Sequence, residues 1–229
     1  MADKQNVKEF DEQVAIAKAK DFWTKYGKLT TIISVAVILL AGGWYAYRNF
    51  VQKPKEVKAT ESMFKAEEYY RQDSVVKALN GDGQYWGFLK VIDKYGGTKA
   101  GNMANFYAGS CYIKLNENEK AVKYLKKFST SSKPMQARAY KLLGDAYADL
   151  GKNADALSYY KKAAAHFEKD EAFAADCLYM AAYLAQKTMN DTKTATSLYK
   201  ELKEKFPKTQ QAFDADNNLA QMGVYSTDK

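Results

Sequence analysis

Hydrophobic and polar positions divide the chain at about residue 49. No charged residue occurs between Lys28 and Arg48, and this segment is rich in Ile, Val, Leu and Ala. As a helix it would span roughly 28 Å, close to the roughly 30 Å hydrocarbon core of a bilayer. Aromatic residues flank it on both sides, as they do at membrane–water interfaces. The pattern therefore predicts a transmembrane helix over residues 29–48.

Residues 1–28 are predicted to form a cytosolic tail with a short amphipathic helix. Val7, Phe10, Val14 and Ala17 recur at spacings of three and four and so share one helix face. A cleaved signal peptide is the alternative to an anchor, because both combine basic residues with an apolar stretch. The long polar tail and the lack of a clear small-residue cleavage site favour the anchor. Basic residues nearly balance across the span, so the predicted orientation rests on the short tail, which commonly stays in the cytoplasm.

Downstream of the span, apolar residues recur at helical spacing and a longer repeat is visible. Gly109 and Ala121 recur 35 positions later as Gly144 and Ala156, and each glycine is followed by a tyrosine three positions on. Small residues allow two antiparallel helices to approach closely, and the tyrosine fills the space between them. At these positions the sequence resembles the tetratricopeptide repeat (TPR) family, whose units have about 34 residues. The expected fold class is all-α, with an N-terminal transmembrane helix followed by a TPR-like right-handed α-solenoid of antiparallel helix pairs.

Weaker forms of the pattern extend the predicted TPR-like domain over residues 49–229. Its expected parts are a degenerate helix pair at 56–97, repeats at about 102–135, 137–170 and 176–209, and a capping helix at 210–222. In the third repeat, Tyr183 occupies the glycine position. Ala156 and Ala195 are 39 positions apart, which predicts a longer loop or an extended helix around residues 166–171.

Composition adds charge but no catalytic group. The formal net charge is +8, yet the lysines are interleaved with acidic residues, which is typical of solvated helix faces and not of a nucleic-acid-binding surface. His166 is the only histidine, and Cys111 and Cys177 lie far apart within apolar helical stretches, which predicts buried free thiols. No motif supplies a nucleophile with its base, or a metal-ligating cluster. We therefore expect neither enzyme activity nor a cofactor, a metal or a small-molecule substrate.

The TPR resemblance implies a binding groove lined by the first helix of each pair. The family's groove positions select Met103, Phe106, Ser110, Ile113 and Lys114 in the first repeat, Arg138, Lys141, Asp145, Ala148 and Asp149 in the second, and Cys177, Met180, Leu184, Lys187 and Thr188 in the third. The groove is expected to be apolar at both ends and charged in the middle, and to bind an extended or helical peptide. The alternative for each position is a side chain that only supports a neighbouring helix.

The order of a short cytosolic tail, a single span and a TPR-like domain beginning almost at the membrane resembles the bacterial YfgM family of ancillary SecYEG translocon subunits. This resemblance implies a single-pass protein of the bacterial inner membrane with a periplasmic C-terminal domain. It also implies protein partners, namely the SecYEG translocon, a periplasmic chaperone or a secretory client, and no nucleic acid. The alternative function of the same class is an envelope-assembly scaffold, acting in outer-membrane protein insertion or cell-wall coordination.

Overall fold

The protein is almost entirely helical. The computed structural model describes the backbone of residues 2–224 and the side chains of residues 14 and 16–224. Within this range there is no β-strand, and a single isolated β-bridge joins Gly81 and Trp86. The chain divides into two compact units, Met1–Pro54 and Lys55–Lys229. The predicted all-α fold class is confirmed.

One long helix dominates the first unit. Helix α1 runs over Ala2–Tyr47 and is followed by a π-helical turn, Arg48–Gln52. From Ile16 to Tyr47 its large apolar side chains are exposed, and the exposed fraction of Leu40 reaches 74%. Between residues 2 and 224, the helical stretch that contains this apolar segment is the one long and apolar enough to cross a membrane, so it is a candidate span. The side chains of Val7 and Phe10, on which the predicted amphipathic face depends, lie outside the described ones.

From Lys53 onward the chain forms shorter helices. In chain order these are α2 (Lys53–Arg71), α3 (Val75–Asn80), α4 (Phe88–Tyr95), α5 (Lys99–Lys114), α6 (Asn118–Leu125), α7 (Lys133–Asp149), α8 (Asn153–His166), α9 (Glu171–Lys187), α10 (Thr192–Lys205) and α11 (Gln210–Gln221). Helices α5 with α6, α7 with α8, and α9 with α10 form successive pairs, and each pair packs against the next. Helix α11 packs against α9 and α10. This nearest-neighbour stacking is that of a helical-repeat solenoid.

Small residues set the distance between the paired helices. A Cβ atom on Gly109 would lie 2.4 Å from Cγ of Leu125, and one on Gly144 would lie 2.6 Å from Cδ1 of Tyr160. Ala121, on the second helix of the first repeat, is fully buried. A larger residue at either glycine would therefore force the two helices apart, because the neighbouring side chains are already packed at van der Waals distance.

The N-terminal part of the second unit has three helices where the sequence predicts a pair. Helix α2 buries Ala59, Met63 and Ala66, and α4 buries Phe88 and Val91. Between them the short helix α3 packs against both α4 and α5. Its 6 residues are too few to show a helical period in the sequence.

A longer helix accounts for the stretched spacing before the third repeat. Helix α8 has 14 residues where α6 has 8, and only residues 167–170 connect α8 to α9. Tyr183, at the glycine position of α9, is 44% exposed, and its ring stacks on that of Tyr179 with centroids 6.2 Å apart. A large residue is accommodated there because its side chain is directed outward.

Candidate functional site

The predicted site residues of the first repeat are largely covered by the α2–α3 turn. Ser110 is buried, and its hydroxyl lies 2.7 Å from the hydroxyl of Tyr70. The ammonium of Lys114 lies 2.5 Å from a carboxylate oxygen of Asp73 and 5.1 Å from the ring centroid of Tyr70. These contacts occupy the polar groups of the predicted site residues Ser110 and Lys114, so at this end only the exposed part of Lys114 is open to a partner.

The apolar residues predicted on α5 also serve packing. Met103, Phe106 and Ile113 are half-buried and pack against the hydrophobic core. The ring of Phe106 lies 5.3 Å from that of Phe128 in the segment after α6. At α5, the structure therefore favours the supporting alternative for most positions.

The charged residues of the second repeat lie together on one face of α7. Arg138, Lys141, Asp145 and Asp149 recur at spacings of three and four, which places them on the same side of the helix. Arg138 is exposed and forms no ion pair with any described side chain. Asp149 is exposed and accepts one long hydrogen bond, 3.4 Å, from Nδ2 of Asn118. Both side chains are therefore available to a partner.

Lys141 lies between two carboxylates without pairing tightly with either. Its ammonium is 3.5 Å from Asp145 in the same helix and 3.8 Å from Asp176 in α9. Charge-assisted hydrogen bonds are normally about 2.7–2.9 Å long, so both contacts are loose. The hydroxyl of Tyr160 donates a closer hydrogen bond of 2.9 Å to the other oxygen of Asp145. Burial raises the pKa of Asp145, and the nearby charge of Lys141 opposes that shift.

Among the predicted site residues, helix α9 contributes apolar side chains and one lysine without an ion pair to a described side chain. Met180 is half-buried, Leu184 is buried, and Lys187 is exposed at the end of the helix. No ion pair of Lys187 occurs among the side chains that the structure describes. Thr188, next to it, is exposed, and Ala148 on α7 is half-buried.

Cys177 is fully buried and cannot line an open groove. Cys111 is buried in the same way, and both thiols are free. Burial raises the pKa of each to about 12, which keeps them protonated and unreactive. Both cysteines are therefore buried free thiols, as the sequence predicts.

The structure thus joins part of the predicted site and separates the rest. Helices α7 and α9 are joined here by the Lys141–Asp176 contact. We call six of the predicted residues on these two helices the α7–α9 surface: Arg138, Lys141, Asp145, Asp149, Met180 and Lys187. Sequence reasoning missed the loose contact of Asp176 with Lys141 and the hydrogen bond of Tyr160 to Asp145. The repeat pattern includes Tyr160, 35 positions after Leu125, but it does not indicate the hydrogen bond to Asp145, because Leu125 has no hydroxyl. Asp176 lies outside the repeat pattern.

Within the described part of the chain, His166 contacts an aromatic ring and no metal-ligating cluster occurs. In that part, no group of three or more His, Cys, Asp or Glu side chains could hold a metal ion. The ring of His166 packs edge-on against Tyr140, with centroids 5.4 Å apart. The arrangement as a whole is a polar helix face beside an apolar residue, which suits recognition of a peptide.

A helical-repeat fold with such a face defines a protein-interaction module, and the comparisons with known families give its identity. The profile of the family described as "Tetratricopeptide repeat-like domain" matches residues 20–140, more than half of the chain. A second profile, "Tetratricopeptide repeat", matches residues 176–209. The chain belongs to the tetratricopeptide repeat-like domain family. No curated protein matched it.

Proposed function

We propose that this chain is a membrane-anchored adaptor that binds protein partners on the α7–α9 surface, as an ancillary subunit of the SecYEG translocon. In this role it assists secretory proteins and periplasmic chaperones. The N-terminus lies in the cytoplasm, the span crosses the bacterial inner membrane, and the repeats lie in the periplasm. The supporting observation is a TPR domain whose free charges cluster on two adjacent first helices, in a chain with a candidate membrane span close before it.

The α7–α9 surface favours a peptide that carries acidic residues on either side of an apolar side chain. Arg138 and Lys187 provide exposed cations near its two ends, and Met180 provides a flexible apolar contact between them. Lys141 can exchange one of its long intramolecular contacts for a shorter one to a carboxylate of the partner. Extended and helical peptides both present side chains at such spacings.

The membrane span is expected to strengthen this binding, because it raises the local concentration of the repeats near membrane-bound partners. The repeats follow the expected span in the same chain, so they are tethered to the bilayer in which other envelope proteins are embedded. Tethering of this kind raises the effective concentration of the binding module toward membrane-bound partners without any new contact.

Site-specific photocrosslinking in native membranes tests the proposal. A photoreactive residue replaces Arg138 or Lys187 in the full chain, and a matched control replaces Lys200, which is exposed on α10 away from this surface. We expect translocon subunits, a periplasmic chaperone or secretory clients to be captured from the first two sites only. Capture of envelope-assembly components would favour the scaffold function, and equal capture from all three sites would contradict a binding role for the α7–α9 surface.

A further inference from the structure

Four tyrosines and five lysines form a repeated cluster where the two helices of each of the first two repeats meet. Tyr112 stacks on Tyr124 with ring centroids 5.4 Å apart and planes at 16°. The equivalent rings of the next repeat, Tyr147 and Tyr159, stack at 5.4 Å and 11°. We call this cluster the tyrosine–lysine patch, and its members are Tyr112, Tyr124, Tyr147, Tyr159, Lys120, Lys123, Lys126, Lys127 and Lys162.

Each lysine of the patch lies against one of these rings. The five ammonium groups are between 5.0 and 5.7 Å from the nearest ring centroid. Lys126, at the end of α6, lies over Tyr147 of the next repeat and so links the two stacks. The side-chain hydrogen bond with Tyr147 also raises the pKa of Lys126, which keeps it charged.

The rings hold the positive charges in place without neutralising them. Of the five lysines, Lys120 alone forms an ion pair with a described side chain, that of Glu117. All five are exposed. The acidic side chains within α6 and α8 are Glu119 and Asp155, and neither forms an ion pair with the patch. A cation–π contact leaves the net charge of a lysine intact, so the patch is a net positive surface.

The outward face of α8 extends this surface. A shallow depression of about 490 Å³ is lined by Ala154, Leu157, Ser158, Lys161, Lys162 and Ala165. Its lining adds a sixth lysine and small or apolar side chains but no carboxylate. The whole surface is therefore broad and basic, and lacks a deep cleft for a single extended chain.

We propose that the tyrosine–lysine patch binds the anionic headgroups of the membrane in which the chain is anchored. A broad basic surface matches a plane of phosphates better than it matches one peptide, which needs a groove for its side chains. The patch and the expected span belong to one chain, so anchoring raises the effective concentration of the patch toward anionic lipid and makes even weak contacts effective. The inference rests on the anchor in the proposed function, but not on the α7–α9 surface or its partner.

Lysine footprinting of the full chain in nanodiscs tests this inference. The chain is reconstituted in neutral phosphatidylcholine discs and in discs that also contain phosphatidylglycerol, and acetylation of each lysine is followed by mass spectrometry. We expect acetylation of Lys123, Lys127 and Lys162 to slow by about threefold or more in the anionic discs. Raising the salt concentration to about 0.5 M should abolish the difference, because exposed charges are then screened.

A double variant and a matched control separate lipid contact from other causes. Lys123→Gln with Lys127→Gln should reduce the protection of Lys162, whereas Lys200→Gln with Lys208→Gln, which removes the same charge elsewhere, should leave it unchanged. Equal acetylation rates in neutral and anionic discs would overturn the proposal. Protection by added polyglutamate in neutral discs, without protection by phosphatidylglycerol, would also overturn it in favour of an acidic protein segment.

The result of the footprinting experiment does not depend on whether the α7–α9 surface binds a partner. If capture from Arg138 fails while the lysines are protected by anionic lipid, the proposed adaptor function falls and this inference stands. If capture from Arg138 persists while anionic lipid does not protect the lysines, the adaptor function stands and this inference falls.

Discussion

Gly144 allows the second helix pair to close because its missing side chain leaves room for the ring of Tyr160. The same relation holds between Gly109 and Leu125 in the first repeat. Tyr160 cannot easily move away, since it is almost fully buried and its hydroxyl donates to Asp145. The packing of the two helices and the Tyr160–Asp145 hydrogen bond therefore both depend on the absence of a side chain at Gly144.

Gly144→Ala is expected to destabilise the domain by about 1–2 kcal/mol, since overpacking outweighs the better helix propensity of alanine. Urea unfolding of the full chain in mild detergent measures this free energy. Gly97→Ala is the matched control, because a Cβ there meets nothing within 4 Å, and it should change stability by less than about 0.5 kcal/mol. Equal effects of the two substitutions would contradict the packing role of Gly144.

The charge of Asp145 makes stability depend on pH. Burial raises its pKa above the ordinary value of 3.8, so the folded state binds a proton more readily than the unfolded state. Its contribution to stability is fully present below that value and is lost as the pH rises through the raised pKa. At neutral pH the buried charge therefore opposes folding.

Asp145→Asn removes this charge and keeps an acceptor for Tyr160. The variant should be more stable than the native chain at pH 7, and the difference should shrink as the pH falls toward 3.8. Unfolding midpoints over this pH range measure it, with Asp149→Asn as the exposed control. A stability gain that grows on acidification would refute the assigned shift.

At the scale of helices, α2 caps the start of α5. The two carboxylate oxygens of Glu56 accept hydrogen bonds of 2.8 and 2.9 Å from the backbone amides of Lys99 and Ala100. The side chain of Thr98 accepts from the amide of Gly101 at 2.9 Å. Amides that lack partners within the helix are thereby satisfied, and a negative charge lies at the positive end of its dipole.

Glu56→Ala should therefore destabilise the domain by about 1–2 kcal/mol. The loss should appear in urea unfolding and as faster hydrogen exchange at the first turn of α5. Glu61→Ala, an exposed change on the same helix, serves as the control and should have little effect. Unchanged exchange at Lys99 and Ala100 would show that the cap contributes nothing.

The repeats could be predicted from the sequence because their packing recurs with a period. Gly109 and Gly144 occupy the same place in successive units, so one comparison of the chain with itself reveals both. The contact of Glu56 with Lys99 joins residues 43 positions apart and occurs once, and that of Tyr70 with Ser110 joins residues 40 apart. Single long-range contacts leave no periodic signal, which is why the covering of the first-repeat site was missed.

At the scale of the whole molecule, the candidate span and the repeats have to remain in one chain for the adaptor function. A signal peptide would be removed on export, whereas an anchor stays attached. Peptides from residues upstream of the span should therefore be recovered, by mass spectrometry, from the same membrane-embedded protein as peptides from the repeats. Recovery of the repeats alone, from a soluble fraction, would establish cleavage instead.

The most direct test of the central claim combines capture with charge reversal. A photoreactive residue at Lys187 reports partner binding in native membranes, and Arg138→Glu reverses the charge at the other end of the α7–α9 surface. We expect this reversal to lower capture of the partner by at least about threefold, since an acidic peptide would then meet a like charge. Lys200→Glu, the same reversal on α10, should leave capture unchanged. Equal capture by all three proteins would contradict binding at the α7–α9 surface.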